Sequence, residues 1–209
     1  MKSTTDIADD RNAPDVDATE RDALRAVARG DRAAFERLYL RHHPALARFI
    51  ARHTSRRDLI DEIINDAFWI VWRKAAEFRG ESKVGTWIIG IAYRCMLKAL
   101  RTHAPVPEAA DAGDDDLLID GSPESRESET RELADWVRRG LALLPPEQRT
   151  TMELAYFLGQ SCEEIAAIMN CATGTVKARM FHARLRLRNT LPALGGDAAD
   201  ANDFRKQPS

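Results

Sequence analysis

Cysteine is scarce in this chain: three occur in 209 residues, at Cys95, Cys162 and Cys171. No two form a CxxC pair, so neither a disulfide framework nor a structural zinc site is expected, and a reducing cytoplasm is the expected compartment. Net charge is scarce too, at −2 with histidine neutral, so the overall balance says nothing about partners. No apolar run approaches the length that spans a bilayer, and Met1–Glu20 lacks the apolar centre of a signal peptide; no membrane insertion is expected. Strand-like alternation and internal repeats are missing, and residues 21–101 contain a single proline, Pro44. A di-iron helical bundle would need Glu-x-x-His pairs, and none of the five histidines has an acid three residues before it. No catalytic set, metal site or cofactor motif remains, and the chain reads as a non-enzyme.

What is present is charge sorted along the chain. Arg41, Arg48, Arg52, Arg56 and Arg57 form one basic block without an acid, and Lys177, Arg179, Arg184, Arg186 and Arg188 form a second. Between them, Thr102–Thr130 carries acids at 108, 111, 114–116, 120, 124, 127 and 129 against Arg126 alone. Two polyanion-facing domains joined by a solvated linker are the expectation.

The apolar pattern is helical throughout. Residues 1–20 read as a disordered lead. Asp31 caps a helix with Ala34, Phe35, Leu38 and Tyr39 on its stripe, and Pro44 reads as the start of another. A long helix over about 58–78 buries Ile60, Ile63, Ile64, Ala67, Phe68 and Val71. After the break at Arg79–Ser82, a helix over about 86–101 buries Ile88, Ile91, Ala92, Cys95 and Ala99. Residues 102–132 read as a flexible acidic linker, 133–191 as a second helical set, and 192–209 as a disordered tail. The fold class is therefore all-α, with two small helical domains.

The second domain ends in a helix-turn-helix. Ser161 and Glu164 form a capping box, and Asn170 falls where the turn wants a residue that tolerates positive φ. Thr173 is the expected cap of the last helix, whose stripe is Val176, Met180, Ala183 and Leu187. Thr175, Arg179, His182 and Arg186 repeat with the same spacing on another face, with Lys177 and small Ala178 nearby. A terminal basic helix is often no more than a solvated face. The capped first helix, the short turn and the acid-free second helix favour docking into the major groove of duplex DNA.

The first domain carries two unusual faces. On the 58–78 helix, Glu62, Asp66, Trp69 and Arg73 lie opposite the Ile/Phe stripe, flanked by Asn65. Either Trp69 and Trp72 complete a covered core, or this acidic, aromatic side meets a protein partner. On the next helix, Lys83, Thr86, Tyr93, Arg94, Lys98 and Arg101 point away from the apolar stripe. That side is either a solvated basic face or one that tracks a nucleic-acid strand.

Several stretches together resemble the extracytoplasmic-function (ECF) sigma factors of bacterial RNA polymerase. They are Asp61–Arg73, Phe78–Ser82 leading to Gly85–Ile88, Leu143–Arg149, Glu163–Ala166, Gly174–Arg179 and His182–Arg184. Their order and spacing make the joint match specific over about residues 21–101 and 133–191. The resemblance implies that region 2 occupies 21–101 and docks on the clamp helices of the largest polymerase subunit through Glu62, Asn65, Asp66, Trp69 and Arg73. Glu62, Asn65 and Asp66 stand where Asp, Gln and Glu are common, each one methylene different. It also implies recognition of the −10 element by Arg79, Ser82, Lys83, Thr86, Tyr93, Arg94, Lys98 and Arg101, although many members have Arg-Asn at Tyr93-Arg94. Region 4, at 133–191, would read the −35 element through Thr173, Thr175, Lys177, Arg179, His182 and Arg186. Core polymerase, promoter DNA and an anti-sigma factor are the implied partners. The competing reading is a stand-alone helix-turn-helix regulator, which would have no use for the acidic face on the 58–78 helix.

Overall fold

The computed structural model describes residues 16–103 and 136–194, with side chains to 191. The linker expected at 102–132 lies almost wholly outside the described residues, as do most of the expected lead and tail. Among the described residues every α element is a helix linked by turns or a single 3-10 turn. They are α1 (Val16–Ala28), α2 (Arg32–Ala51), α3 (Arg57–Lys74), a 3-10 turn (Ala75–Glu77) and α4 (Val84–Thr102). There follow α5, helical over 136–142, α6 (Pro146–Tyr156), α7 (Cys162–Met169) and α8 (Thr173–Leu194). The chain divides into two compact units, 1–47 with 56–104, and 48–55 with 105–209.

In the first unit α3 packs on α4, and α1 packs on both. The α3 stripe is as the periodicity requires: Ile60, Ile63, Ile64, Ala67, Phe68 and Val71 are all buried. Each of the large apolar side chains among them contributes about 1.5–3 kcal/mol relative to exposure. Three boundaries differ from the sequence expectation. Residues 16–20, expected in the lead, are helical, and α1 buries Glu20, Leu24 and Val27. Pro44 does not begin a helix but lies inside α2. A proline there removes one ladder hydrogen bond, to Leu40 four residues before it; Leu40 is on the solvent side, while Leu38 and Leu46 are buried. The 58–78 helix instead stops at Lys74 and tightens into the 3-10 turn.

In the second unit α6, α7 and α8 pack on one another. Trp136 Nε1 donates to the Leu191 carbonyl at 2.9 Å, tying α5 to the end of α8. Glu153 is fully buried, accepts from Arg149 Nε at 3.1 Å and lies 2.8 Å from His53 Nε2 of the 48–55 segment grouped with this unit. A buried carboxylate without such partners would be strongly destabilising.

Candidate nucleic-acid interface

The turn of the helix-turn-helix is built by its residue types. Ser161 Oγ accepts from the Glu164 amide at 3.2 Å, and the Glu164 carboxylate accepts from the Ser161 amide at 2.8 Å. Two amides that the helix itself leaves without acceptors are thereby satisfied. Asn170 ends α7 in the left-handed region at φ 51° and ψ 55°. Thr173 is not the cap of α8 but its first residue: the Ala172 carbonyl accepts from the Thr175 and Val176 amides. Boundaries of this kind shift by a residue because the backbone, not the side chain, closes the first turn.

Val176, Met180 and Ala183 are buried, so α8 presents a defined outer side. Thr175, Lys177, His182 and Arg186 are exposed there. Arg179 is half-buried, its guanidinium lying 3.8 Å from Cys171 Sγ and 4.0 Å from Met169 Sδ. The sequence reading missed Phe181, which is 63% exposed. Ala178, Phe181 and Leu185 form an exposed apolar ridge opposite the core stripe, with Lys177 and Arg184 on one flank and His182 on the other. A large apolar residue off the stripe was the available signal.

On α3, Glu62, Asn65, Asp66, Trp69 and Arg73 are all exposed, on one side of the helix. The two readings of the tryptophans separate: Trp72 packs edge-on against Phe35 at 5.3 Å, whereas Trp69 is 60% exposed.

The expected −10 set is divided by the fold. Arg79, Lys83, Arg94, Lys98 and Arg101 are exposed and Ser82 is half-buried, but Thr86 and Tyr93, expected on the outer side, are buried. Both α1 and α3 pack on α4, so more of that helix is covered than one stripe. Cys95 and Ala99, expected in the core, are instead half-buried. Gly80, at φ +76°, turns the loop before α4, and the Phe78 and Trp87 rings close its base at 5.3 Å.

A groove of about 450 Å³ between α3 and α4 brings Asp66 together with Trp87, Arg94, Cys95 and Lys98. One residue of the expected polymerase face thus shares a cleft with two of the expected −10 face. Burial pushes the Cys95 thiol up from its ordinary pKa and the Asp66 carboxylate adds to this, while Arg94 and Lys98 oppose it. Among the described residues no group of three or more His, Cys, Asp or Glu could hold a metal ion, and no helix is long and apolar enough to cross a membrane.

Two family models match the chain: sigma-70 region 2 over residues 38–105, and sigma-70 region 4 over 134–187. The chain is 32% identical to the ECF RNA polymerase sigma-E factor of Haemophilus influenzae over 184 residues, covering 84% of this chain and 97% of that protein. It is 34% identical to the ECF RNA polymerase sigma factor SigM of Mycobacterium tuberculosis over 174 residues, covering 83% and 85%. Among solved structures it resembles the sigma factor RpoE of Bartonella quintana, in complex with the anti-sigma factor NepR, with a TM-score of 0.55, 27% identity and coverage of 76% and 96%. The fold is also that of CnrH in complex with the cytosolic domain of CnrY, at a TM-score of 0.62, 23% identity and coverage of 84% and 98%. The exposed acidic side of α3, the cationic side of α4 and the helix-turn-helix thus sit in a chain that belongs to the ECF sigma factors, alternative sigma factors that direct transcription initiation by RNA polymerase.

Proposed function

We propose that the three exposed faces divide the work of initiation, and that the carrying observation is Trp69, a large aromatic left in water beside Glu62, Asn65 and Asp66. An exposed Trp ringed by polar groups is the composition of a protein-binding centre. In this reading α3, with Arg73 at its end, docks on the clamp helices of core polymerase. The domain assignment follows: residues 21–101, now extended back to the start of α1, act as region 2, and 133–191 act as region 4.

The loop Arg79–Lys83 and the exposed cations of α4, Arg94, Lys98 and Arg101, take the non-template strand of the −10 element and assist melting. Buried Thr86 and Tyr93 support that surface from behind. A flipped base costs unstacking energy, offset by stacking and phosphate contacts. On α8, Lys177, Arg184 and Arg186 neutralise −35 phosphates, while Phe181 and His182, with Thr173, Thr175 and Arg179 at the near end, meet the major groove. The protein performs no chemistry of its own and works in the cytoplasm, where polymerase is. An anti-sigma factor is a proposed partner, since a relative at 27% identity is held by one.

The test is run-off transcription with purified core polymerase on genomic fragments, beside a Glu62→Ala, Asp66→Ala double variant. Specific transcripts from the wild type alone are expected. Equal transcription by the folded double variant would remove the α3 docking assignment. DNA binding with no polymerase-dependent transcript would favour the stand-alone regulator.

A further inference from the structure

The residue before α4 is Lys83, whose ammonium can only donate and so is no acceptor for the first amides of the helix. The first amides of a helix have no carbonyl partner within it, and the positive end of the helix dipole gathers there. A carboxylate comes from another helix: Glu20, in α1, lies against Gly85, the second residue of α4, whose amide helps to hold its pKa down.

That carboxylate is only 7% exposed. It is gripped from α2, with Arg41 Nε at 2.7 Å and His42 Nε2 at 3.1 Å from Glu20 Oε1. Gly85 leaves room for the cluster: a Cβ built there would crowd His42 Cε1 at 3.3 Å and stand in ordinary contact with Glu20 Oε2 at 3.7 Å. Here glycine serves proximity, not a positive φ. Leu24 and Val27, buried on the same face of α1, fasten the helix that carries the carboxylate. Three helices therefore meet at one buried charge, at the start of α4.

We propose that Glu20 is a positioning residue for promoter melting: a carboxylate delivered from α1 that caps α4 and sets the start of that helix and the Arg79–Lys83 loop. The proposal rests on the reading that this loop and α4 take the −10 strand. It gives α1 a part in the initiation machinery: α1 holds the strand-binding surface in register without touching DNA. A buried charge is costly unless partnered, and here Arg41 and His42 of a neighbouring helix supply the partners.

Full-length Glu20→Ala, Glu20→Gln and Gly85→Ala are assembled with core polymerase, and melting is followed by 2-aminopurine fluorescence within the −10 element. Binding of a −35 duplex and thermal unfolding are measured in parallel. Glu20→Ala should slow melting by roughly tenfold, the scale of one lost charge-assisted hydrogen bond, with −35 affinity unchanged. Glu20→Gln keeps an oxygen acceptor for the Gly85 amide and should restore most of the rate, a rescue that a loss of general stability would not show. Gly85→Ala, which crowds His42 and through it the carboxylate that His42 holds, should reproduce the selective defect even if Glu20→Ala unfolds. Wild-type melting in both Glu20→Ala and Gly85→Ala, or no rescue by Gln, overturns the proposal. Wild-type melting by an Arg94→Ala, Lys98→Ala variant would instead bring down the −10 reading, and the proposal with it.

Discussion

Trp69 and Trp72 lie three residues apart on α3, yet Trp72 packs its ring against Phe35 at 5.3 Å while Trp69 is 60% exposed. Their substitutions should separate binding from stability. Trp69→Ala should leave the unfolding midpoint near wild type and weaken core polymerase binding at least tenfold. Trp72→Ala should cost about 2–4 kcal/mol of stability through lost packing. Urea titration and polymerase pull-down on both variants check this; a stable Trp72→Ala or a polymerase-neutral Trp69→Ala would contradict it.

The capping box makes a local prediction. Ser161→Ala removes a side-chain acceptor at the N-terminus of α7 and should cost about 1 kcal/mol. Asn170→Gly should be tolerated, because φ 51° suits glycine at least as well, whereas Asn170→Val should destabilise by more than 1 kcal/mol. Denaturation of the three variants orders them, and −35 binding should follow stability.

The ridge on α8 predicts how duplex is read. If Phe181 contacts a thymine methyl, replacing thymine by uracil in the −35 element should weaken wild-type binding several-fold, and Phe181→Ala should abolish that difference. Arg179→Ala should cost about 1–3 kcal/mol if its guanidinium leaves the sulfurs of Cys171 and Met169 to reach a base edge. Fluorescence anisotropy with paired T and U duplexes measures both.

Cys95 should be a slow thiol. Burial raises its pKa, Asp66 raises it further, and Arg94 and Lys98 only partly offset this, so at mildly alkaline pH less thiolate is present than on an exposed cysteine. Alkylation followed by mass spectrometry should find Cys95 slower than free cysteine, and Asp66→Asn should speed it. An unchanged rate in Asp66→Asn would mean that charge in the groove does not reach the sulfur.

Glu20 sets an acid limit. Burial alone would raise its carboxyl pKa, but His42, Arg41 and the Gly85 amide outweigh this and hold it below the ordinary value of 4.5. A depressed carboxyl contributes stability above its unfolded pKa and loses it as pH falls through the folded one. Stability of the wild type should therefore drop below about pH 4.5 more steeply than that of Glu20→Gln. Parallel slopes in urea titrations across that range would show that the carboxylate is not held in this way.

The helices and the duplex-reading motif were legible because local rules carry them. Ile63, Ile64, Ala67 and Phe68 announce a buried stripe by spacing, and Ser161, Glu164 and Asn170 announce a turn by chemistry. Thr86 and Tyr93 were misplaced on an outer face because a periodic pattern shows that a helix has a buried side, not how many neighbours cover it. Pro44 was read as a start because the cost of an internal proline is local, whereas the packing that offsets it is not.

What the sequence by itself determined is the helical class and the two-domain order, since periodicity, capping and motif order are properties of neighbours along the chain. Only the tertiary structure decided that Trp69 is exposed while Trp72 packs, that Asp66 shares a groove with Arg94 and Lys98, and that Glu20 lies against the start of a helix sixty-odd residues away. Those relations depend on which helix lies against which. A buried charge or an exposed aromatic acquires its meaning only from the surfaces that the completed packing leaves around it.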